Sequence, residues 1–322
     1  MRLRTISAGI EAPRAPFRGV VHSVFARACN LSVGPRSLAT LLTHEQQNLP
    51  RAVRVETPDG FDFLALVRAG QAVTCDGDIV RFADAALEID LHAARRWHID
   101  LASLHCNLTQ ANAYGAWQAA VSELRATPRN HGFATMLAAN GAAPAVNKGP
   151  EVIALARRGA PAVAALITTA RNCDALRALH AAARLVGLGP GLTPSGDDFL
   201  VGFLAGLWSS ARSDARRLAF RNAFGSGLSR LADGTGDVSR AYLLSAIAGN
   251  FSERLALLAV AIARAGKPPE VRAATRAALA VGATSGADGV IGLLAGIAVW
   301  SPRAAAALAA LVPRTQDRKS VV

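Results

Sequence analysis

Lysine is nearly missing from this chain. Of its 35 basic residues only Lys148, Lys267 and Lys319 are lysines, and the rest are arginines. The arginines fall as singles and pairs, such as Arg95-Arg96, Arg157-Arg158 and Arg216-Arg217. There is no long basic block and no basic stripe interleaved with aromatics, so the net charge of +12 does not mark a nucleic-acid surface. A small anionic substrate fits that charge, as does a biased composition. Aromatics are only 5% of the chain, and abundant Ala, Leu, Val and Gly favour helices packed through small side chains. Long apolar runs are also lacking. The longest, Phe199–Trp208 and Gly289–Trp300, carry glycines and fall short of the ~18–20 residues that cross a bilayer. No membrane segment is therefore expected. The four cysteines, Cys29, Cys75, Cys106 and Cys173, form no CxxC pair, and the seven histidines form no HxH or HxxxH pair. That excludes a zinc module or a disulfide framework and points to a reducing cytoplasm. The opening MRLRTISAGIEAPRAPFRG is basic without a continuous apolar core, so it reads as a frayed end rather than a secretory signal.

At 322 residues the chain has room for two domains. Residues 16–92 carry short apolar stretches between turn residues, including Arg51–Glu56, Phe61–Val67, Val73–Cys75 and Ile79–Phe82. The last two flank Asp76-Gly77-Asp78, a hairpin signal. A small barrel or sandwich follows, with Pro35–Leu49 as a short helix or loop inside it. From Leu91 the spacing turns helical through Trp97, Leu101 and Leu104 to Tyr114–Leu124, a connector over 93–150. Breaks follow at Thr127–Gly132 and at Ala143–Pro150. Residues 151–313 read as helix after helix, with Glu151–Arg157 and Pro161–Ala170 as separate elements, and 314–322 as a disordered tail. The fold class is α+β, a β-rich domain followed by a larger α-helical one. No GxGxxG follows a strand, so a dinucleotide-binding fold is excluded.

The helical part contains one device twice. Gly187–Leu207 reads GLGPGLTPSGDDFLVGFLAGL, and Thr284–Ile297 reads TSGADGVIGLLAGI. Aligned without gaps, Ser195, Asp198, Gly202 and Gly206 match Ser285, Asp288, Gly292 and Gly296. Packing alone explains much of this. Ser-x-x-Asp is a capping box, so Ser195 would cap its own helix with Asp198 reaching back, and Ser285 likewise with Asp288. Glycines four apart let two helices cross closely. The glycine run, the extra acid Asp197 and the ~1 kcal/mol cost of each mid-helix glycine are left over. A glycine-rich loop entering a helix presents free N–H groups to an anion. Gly187, Gly189, Gly191 and Gly196 would bind it, and no Walker-type lysine follows. Adjacent acids would repel an anion unless Mg²⁺ bridges Asp197 and Asp198 or they accept from an amide. No other cofactor is indicated. Such a pair could also activate water for hydrolysis. Thr193, Ser195, Asp197 and Asp198 are the candidate catalytic residues. The segment Asp233–Arg240 offers Thr235 and Ser239 as donors and Arg240 as a carboxylate clamp. Thr284, Ser285, Gly286 and Asp288 would complete the pocket.

The string G-x-G-x-G-x-T-P-S-G-D-D-x-L-x-G, from Gly187 to Gly202, resembles the signature of the AllH-type (YlbF) subunit family of oxamate carbamoyltransferase. Gly19–Phe25, Leu91–Trp97 and Thr284-Ser285-Gly286 are similar too, though Ala287 replaces the first acid in the second copy. The resemblance implies a cytoplasmic subunit in allantoin and purine breakdown. It would form a hetero-oligomer, one partner of which resembles a succinyl-CoA synthetase subunit. The reaction implied is phosphorolysis of oxalurate to oxamate and carbamoyl phosphate. The usual carbamoyltransferase segments S-T-R-T and H-P-x-Q are missing. Two other readings stay open: a non-catalytic assembly subunit, and a Mg²⁺-dependent hydrolase.

Overall fold

A computed structural model describes residues 1–127, 132–133, 150–211 and 214–309. They group into two compact units, one of Met1–Ile99 with Asn250–Glu253, the other of Asp100–Gly249 with the residues from Arg254 onward. The Ala143–Pro150 break, apart from Pro150, and the 314–322 tail lie outside the described residues, as does most of the Thr127–Gly132 break.

The first unit is a barrel. Its strands are β1 (Arg2–Gly9), β2 (Phe17–Phe25), β3 (Ala28–Gly34), β4 (Ser37–Thr43), β5 (Ala52–Val55), β6 (Ala72–Cys75), β7 (Ile79–Phe82), β8 (Glu88–Asp90) and β9 (Arg95–Trp97). The sheet runs β5-β4-β3-β2-β6-β7-β8-β1, and β1 pairs back onto β5, so eight strands close on themselves. Closure pairs the eight strands on both sides. β9 takes over from β8 along the second half of β1, with Ser7, Ala8 and Gly9 opposite Arg95, Arg96 and Trp97. Alternation fills the interior: Leu3, Val21, Leu31, Leu41, Val53, Val55, Val73, Val80 and Ile89 are all buried.

Four sequence expectations change here. The opening residues are not a frayed end, because Arg2–Gly9 is the strand that closes the barrel. Pro35–Leu49 holds strand β4, whose run LATLL is buried, with turns and loop on either side of it. Phe61–Val67 is not a strand but a 3-10 turn at Phe63–Ala65, with Asp62 accepting from the Leu64 N–H. Trp97 ends β9, and Leu101 and Leu104 lie in turns, because helical spacing without a helix start is a weak signal.

The second unit is helical: α1 (Ala111–Ala126), α2 (Pro150–Arg171), α3 (Ala175–Ala183), α4 (Ser195–Ser210), α5 (Ala215–Leu231), α6 (Asp237–Ile247), α7 (Glu253–Ala263), α8 (Pro268–Leu279), α9 (Ser285–Ala298) and α10 (Pro302–Ala309). Helix α2 runs through Pro161, where two separate helices are expected from sequence. The centre of this unit is the crossing of α4 and α9. Nearly every residue of both is buried. A Cβ on Gly202 would lie 2.0 Å from the Gly289 carbonyl oxygen, and one on Gly292 would lie 2.1 Å from that of Phe199. The glycine faces therefore let two backbones touch, and that contact offsets the cost of glycine inside a helix. Around the crossing runs a chain of aromatic contacts from Phe133 through Phe199, Phe203, Phe224 and Phe220 to Trp300. The buried Trp117 of α1 donates its indole N–H to the Leu294 carbonyl at 3.1 Å. Among the described residues no helix is long and apolar enough to cross a membrane.

Candidate functional site

The crossing carries the first turns of α4 and α9 to one place. Pro194, extended at ψ 145°, starts α4 without a side-chain cap, and its carbonyl accepts from the Asp197 and Asp198 N–H groups. Thr284 starts α9, also without a side-chain cap, and accepts from the Asp288 N–H. The expected capping boxes do not form. Ser195 and Ser285 sit one residue inside their helices, so their hydroxyls are free for other partners. They cross over. Ser195 serves Asp288, and Ser285, with Thr193, serves Asp198. Thr193 and Ser285 are themselves joined, Oγ1 to Oγ, at 2.9 Å. The repeat therefore builds a pair of acids whose supporting hydroxyls come from the opposite helix.

These two acids are withdrawn from water. Asp288 is fully buried, and its Oδ1 accepts from the Phe133 N–H at 2.6 Å. Its Oδ2 is buried with no hydrogen-bond partner, as is Oδ2 of Asp198. Burial pushes the Asp288 carboxyl from 3.8 up to about 7, against the pull of Ser195 and the Phe133 N–H. Asp198 is raised well above the usual range as well. Burial comes first, and the charges of Asp288 and then Asp197 add to it, against the Ser285 and Thr193 hydroxyls. The acid acting more strongly on Asp198 is thus the one on the other helix, not its sequence neighbour.

Asp197 is held quite differently. Its Oδ1 accepts from the Gly187 N–H at 3.0 Å, and its Oδ2 accepts from Thr235 at 2.6 Å and Ser239 at 2.7 Å. One buried carboxylate thus fastens the glycine loop to the start of α6. Both oxygens are occupied by donors, which leaves Asp197 poorly placed to hold a metal. Among the described residues no cluster of three or more His, Cys, Asp or Glu could hold one. Gly187 and Gly189 adopt φ of 69° and 124°, which side-chain-bearing residues rarely do, and Gly189 also packs against the Ser195 N–H. Gly191 is exposed and faces open space. Gly196 and Gly286 have matching tasks, because a Cβ there would strike the carbonyl of Leu185 or Ala278 at the end of the preceding helix. Arg240 donates to Asp233 at 2.8 Å.

The structure thus brings Thr193, Ser195, Asp198, Ser285 and Asp288 together, and ties Asp197, Gly187, Thr235 and Ser239 into an adjoining network. Two members escape sequence reasoning. Phe133 lies just past the Thr127–Gly132 break, in the connector, and its role comes from a backbone N–H, which no side-chain pattern reveals. Tyr242 follows Ser239 by three on the inner face of α6, the one cue to its place. Burial, helped by the charge of Asp198, pushes its hydroxyl up to about 12.

A closed barrel followed by a helical unit, with two crossed Ser-Gly-x-Asp helices presenting a buried acid pair, defines an α+β protein with a duplicated half-site. The chain belongs to the AllH family. The model described as oxamate carbamoyltransferase subunit AllH matches residues 185–297, and that of the AllH family N-terminal domain matches residues 4–96. Neither the curated proteins nor the solved structures give a match. The first match spans both copies of the motif and the second spans the barrel, so the family is defined by both parts.

Proposed function

We propose that this chain is a subunit of an oxamate carbamoyltransferase and binds a small anionic substrate at the first turns of α4 and α9. The observation that carries this reading is the crossed arrangement of Asp198 and Asp288, each with a buried oxygen that no described group satisfies. Such an oxygen costs several kilocalories unless a ligand or a proton meets it. Amide and carbamoyl N–H groups are donors of the right kind. Burial that favours the neutral acids also removes the repulsion two ionised carboxylates would exert on a substrate carboxylate or phosphate. The positive ends of the two helix dipoles then favour that anion, while the N–H groups of Gly196, Asp197, Asp198, Gly286 and Asp288 already meet backbone carbonyls. In this reading Thr193, Ser195, Ser285 and the two acids touch substrate. The loop Gly187–Gly191 forms the rim, held in place by Asp197, Thr235 and Ser239. Gly196 and Gly286 allow the close approach that brings the helix starts together, and Thr284 and Arg240 stand at the edge.

The reaction supported by family membership is carbamoyl exchange between oxalurate and phosphate, giving oxamate and carbamoyl phosphate in cytoplasmic allantoin breakdown. It would run in a hetero-oligomer with other subunits, one of them similar to a succinyl-CoA synthetase subunit. A thermal-shift series on the full chain tests the binding step, using oxamate, oxalurate, carbamoyl phosphate and phosphate, each with and without Mg²⁺. Oxamate or carbamoyl phosphate should raise Tm without metal, and Asp198→Asn should abolish the shift. No shift with any of the four, alone or with the partner subunits added, would overturn the reading and leave a purely assembling subunit.

A further inference from the structure

We propose that Gly132 and Phe133 are positioning residues of the site: their backbone closes the front of the Asp288 carboxylate and leaves it one oxygen edge, on Oδ2, for a single donor of the substrate. This rests on the binding reading above. It adds a wall that belongs to neither copy of the motif, and it limits which donors the α9 half can take.

The placement follows from printed geometry around one carboxylate. The Phe133 N–H donates to Asp288 Oδ1 at 2.6 Å. A Cβ on Gly132 would lie 2.7 Å from Oδ1, 2.6 Å from Oδ2 and 3.0 Å from Cγ. A point almost equally far from both oxygens, and farther from the carbon behind them, lies in front of the carboxylate and between its oxygens. A hydrogen of Gly132 points there. That front is where a fork of two N–H groups, such as a guanidinium, pairs with both oxygens at once. Gly132 denies it to any ligand. Phe133 takes Oδ1, so Oδ2 is left, and it is buried without a hydrogen-bond partner among the described residues. A substrate can therefore meet Asp288 with one amide N–H or one hydroxyl, from the outer side of Oδ2.

The dipeptide is held from both helices of the crossing. Its N–H grips α9 through Asp288. Its ring is 1% exposed and meets Phe199 of α4 edge-on, with centroids 5.9 Å apart. Gly132 turns at φ 65°, in the left-handed region that favours glycine. A connecting turn needs that backbone angle and nothing more. The lack of room for a side chain is a second demand, and it is set by the Asp288 carboxylate alone. An added carbon would push the carboxylate off the Phe133 N–H and swing Oδ2 away from the substrate.

Amide hydrogen exchange and thermal shifts on the full chain test this. In the wild type the Phe133 amide should be protected, lose its protection in Asp288→Ala, and stay protected under saturating oxamate or carbamoyl phosphate, because the wall remains in place. Gly132→Ala should lose that protection and weaken these ligands roughly tenfold or more, read from the concentration dependence of the Tm shift. Gly225→Ala is the matched control, since its added carbon would meet the Ile247 side chain of the next helix at 3.3 Å, and it should keep both. Millimolar methylguanidine, a two-pronged donor, should not raise Tm. The wild-type exchange measurement needs no variant to fold. An unprotected Phe133 amide in the wild type, its release by either ligand, an undiminished shift in Gly132→Ala, or a methylguanidine shift that Asp288→Asn abolishes would each overturn the wall while leaving the binding reading in place. A protected amide with no shift from either ligand in the wild type would overturn the binding reading and, with it, the positioning role, leaving a structural clasp.

Discussion

Replacing Asp288 by Asn should change the pH dependence of stability more than stability itself. In the unfolded chain this carboxyl ionises near 3.8, and in the folded chain near 7. The folded state therefore holds the proton more tightly. Below about pH 4 both states are protonated and burial of the group brings no charge penalty. As pH rises from about 4 to 7 the unfolded chain gains by ionising and the folded one does not, so stability falls. Above 7 the loss is complete. About three units at ~1.4 kcal/mol each makes the loss roughly 4 kcal/mol. Asn cannot ionise and escapes this loss. Its carbonyl can keep the bond from the Phe133 N–H, but its amide then occupies the Oδ2 site, where Gly132 packs close, and an unsatisfied N–H₂ costs roughly 1–3 kcal/mol. The variant should be less stable than wild type by up to ~2 kcal/mol at pH 4.5, where wild type has already lost ~1 kcal/mol, and ~1–3 kcal/mol more stable at pH 8. Relief of Asp198, whose carboxyl Asp288 also raises, acts in the same direction. Urea unfolding at pH 4.5, 6, 7 and 8 measures this directly. The expected signature is a crossing of the two curves. Parallel curves, with the variant lower by one constant amount, would refute the burial argument.

Gly202→Ala should destabilise by about 3 kcal/mol or more, because the added carbon meets helix backbone that cannot move aside; Gly191→Ala, with open space around it, should cost only ~1 kcal/mol of backbone strain, and chemical unfolding separates the two. Asp197→Asn should cost about 2–3 kcal/mol and loosen the glycine loop, seen as faster hydrogen exchange at the Gly187 amide. Thr235→Val should cost ~1 kcal/mol, since Ser239 still donates to the same oxygen.

The barrel's central strands were legible because period-two burial and turn residues mark them directly; its closing strand was not. Arg2–Gly9 puts only Leu3 among large apolar residues on its buried side, followed by Thr5 and Ser7, and it becomes a strand only because β5 and β8 offer edges on both sides. The same holds for Trp97, whose place in β9 depends on β1. In the helical unit, the start of α5 is legible in Asp214, which caps it by accepting from the Arg217 N–H. The site was half legible. Glycine spacing foretold a close helix crossing, and α4 and α9 cross in that way. The partners of each acid were not, because a Ser-x-x-Asp string looks the same whether the serine caps its own helix or reaches across to another. Pro194 decides between these. It takes the cap position itself, moves Ser195 one place into the helix, and frees the hydroxyl.

The two copies of the motif divide their tasks, and the differences between them follow from that. Both need Gly196 or Gly286, because each helix start lies against the end of the helix before it. Both need the serine and the second acid, because each supplies the other's support. Only the first copy has Asp197, because only there must a loop be tied down. Its three donors belong to Gly187, Thr235 and Ser239, whereas the second copy places Ala287 at that position, fully packed. Thr193 likewise has no hydroxyl counterpart, since Ala283 stands two residues before Ser285. A perfectly symmetric repeat would give two equivalent acids. Loss of the extra acid and the threonine from one half makes their surroundings unequal: Asp198 feels the charge of Asp197 and the Thr193 hydroxyl, whereas Asp288 has the Phe133 N–H instead.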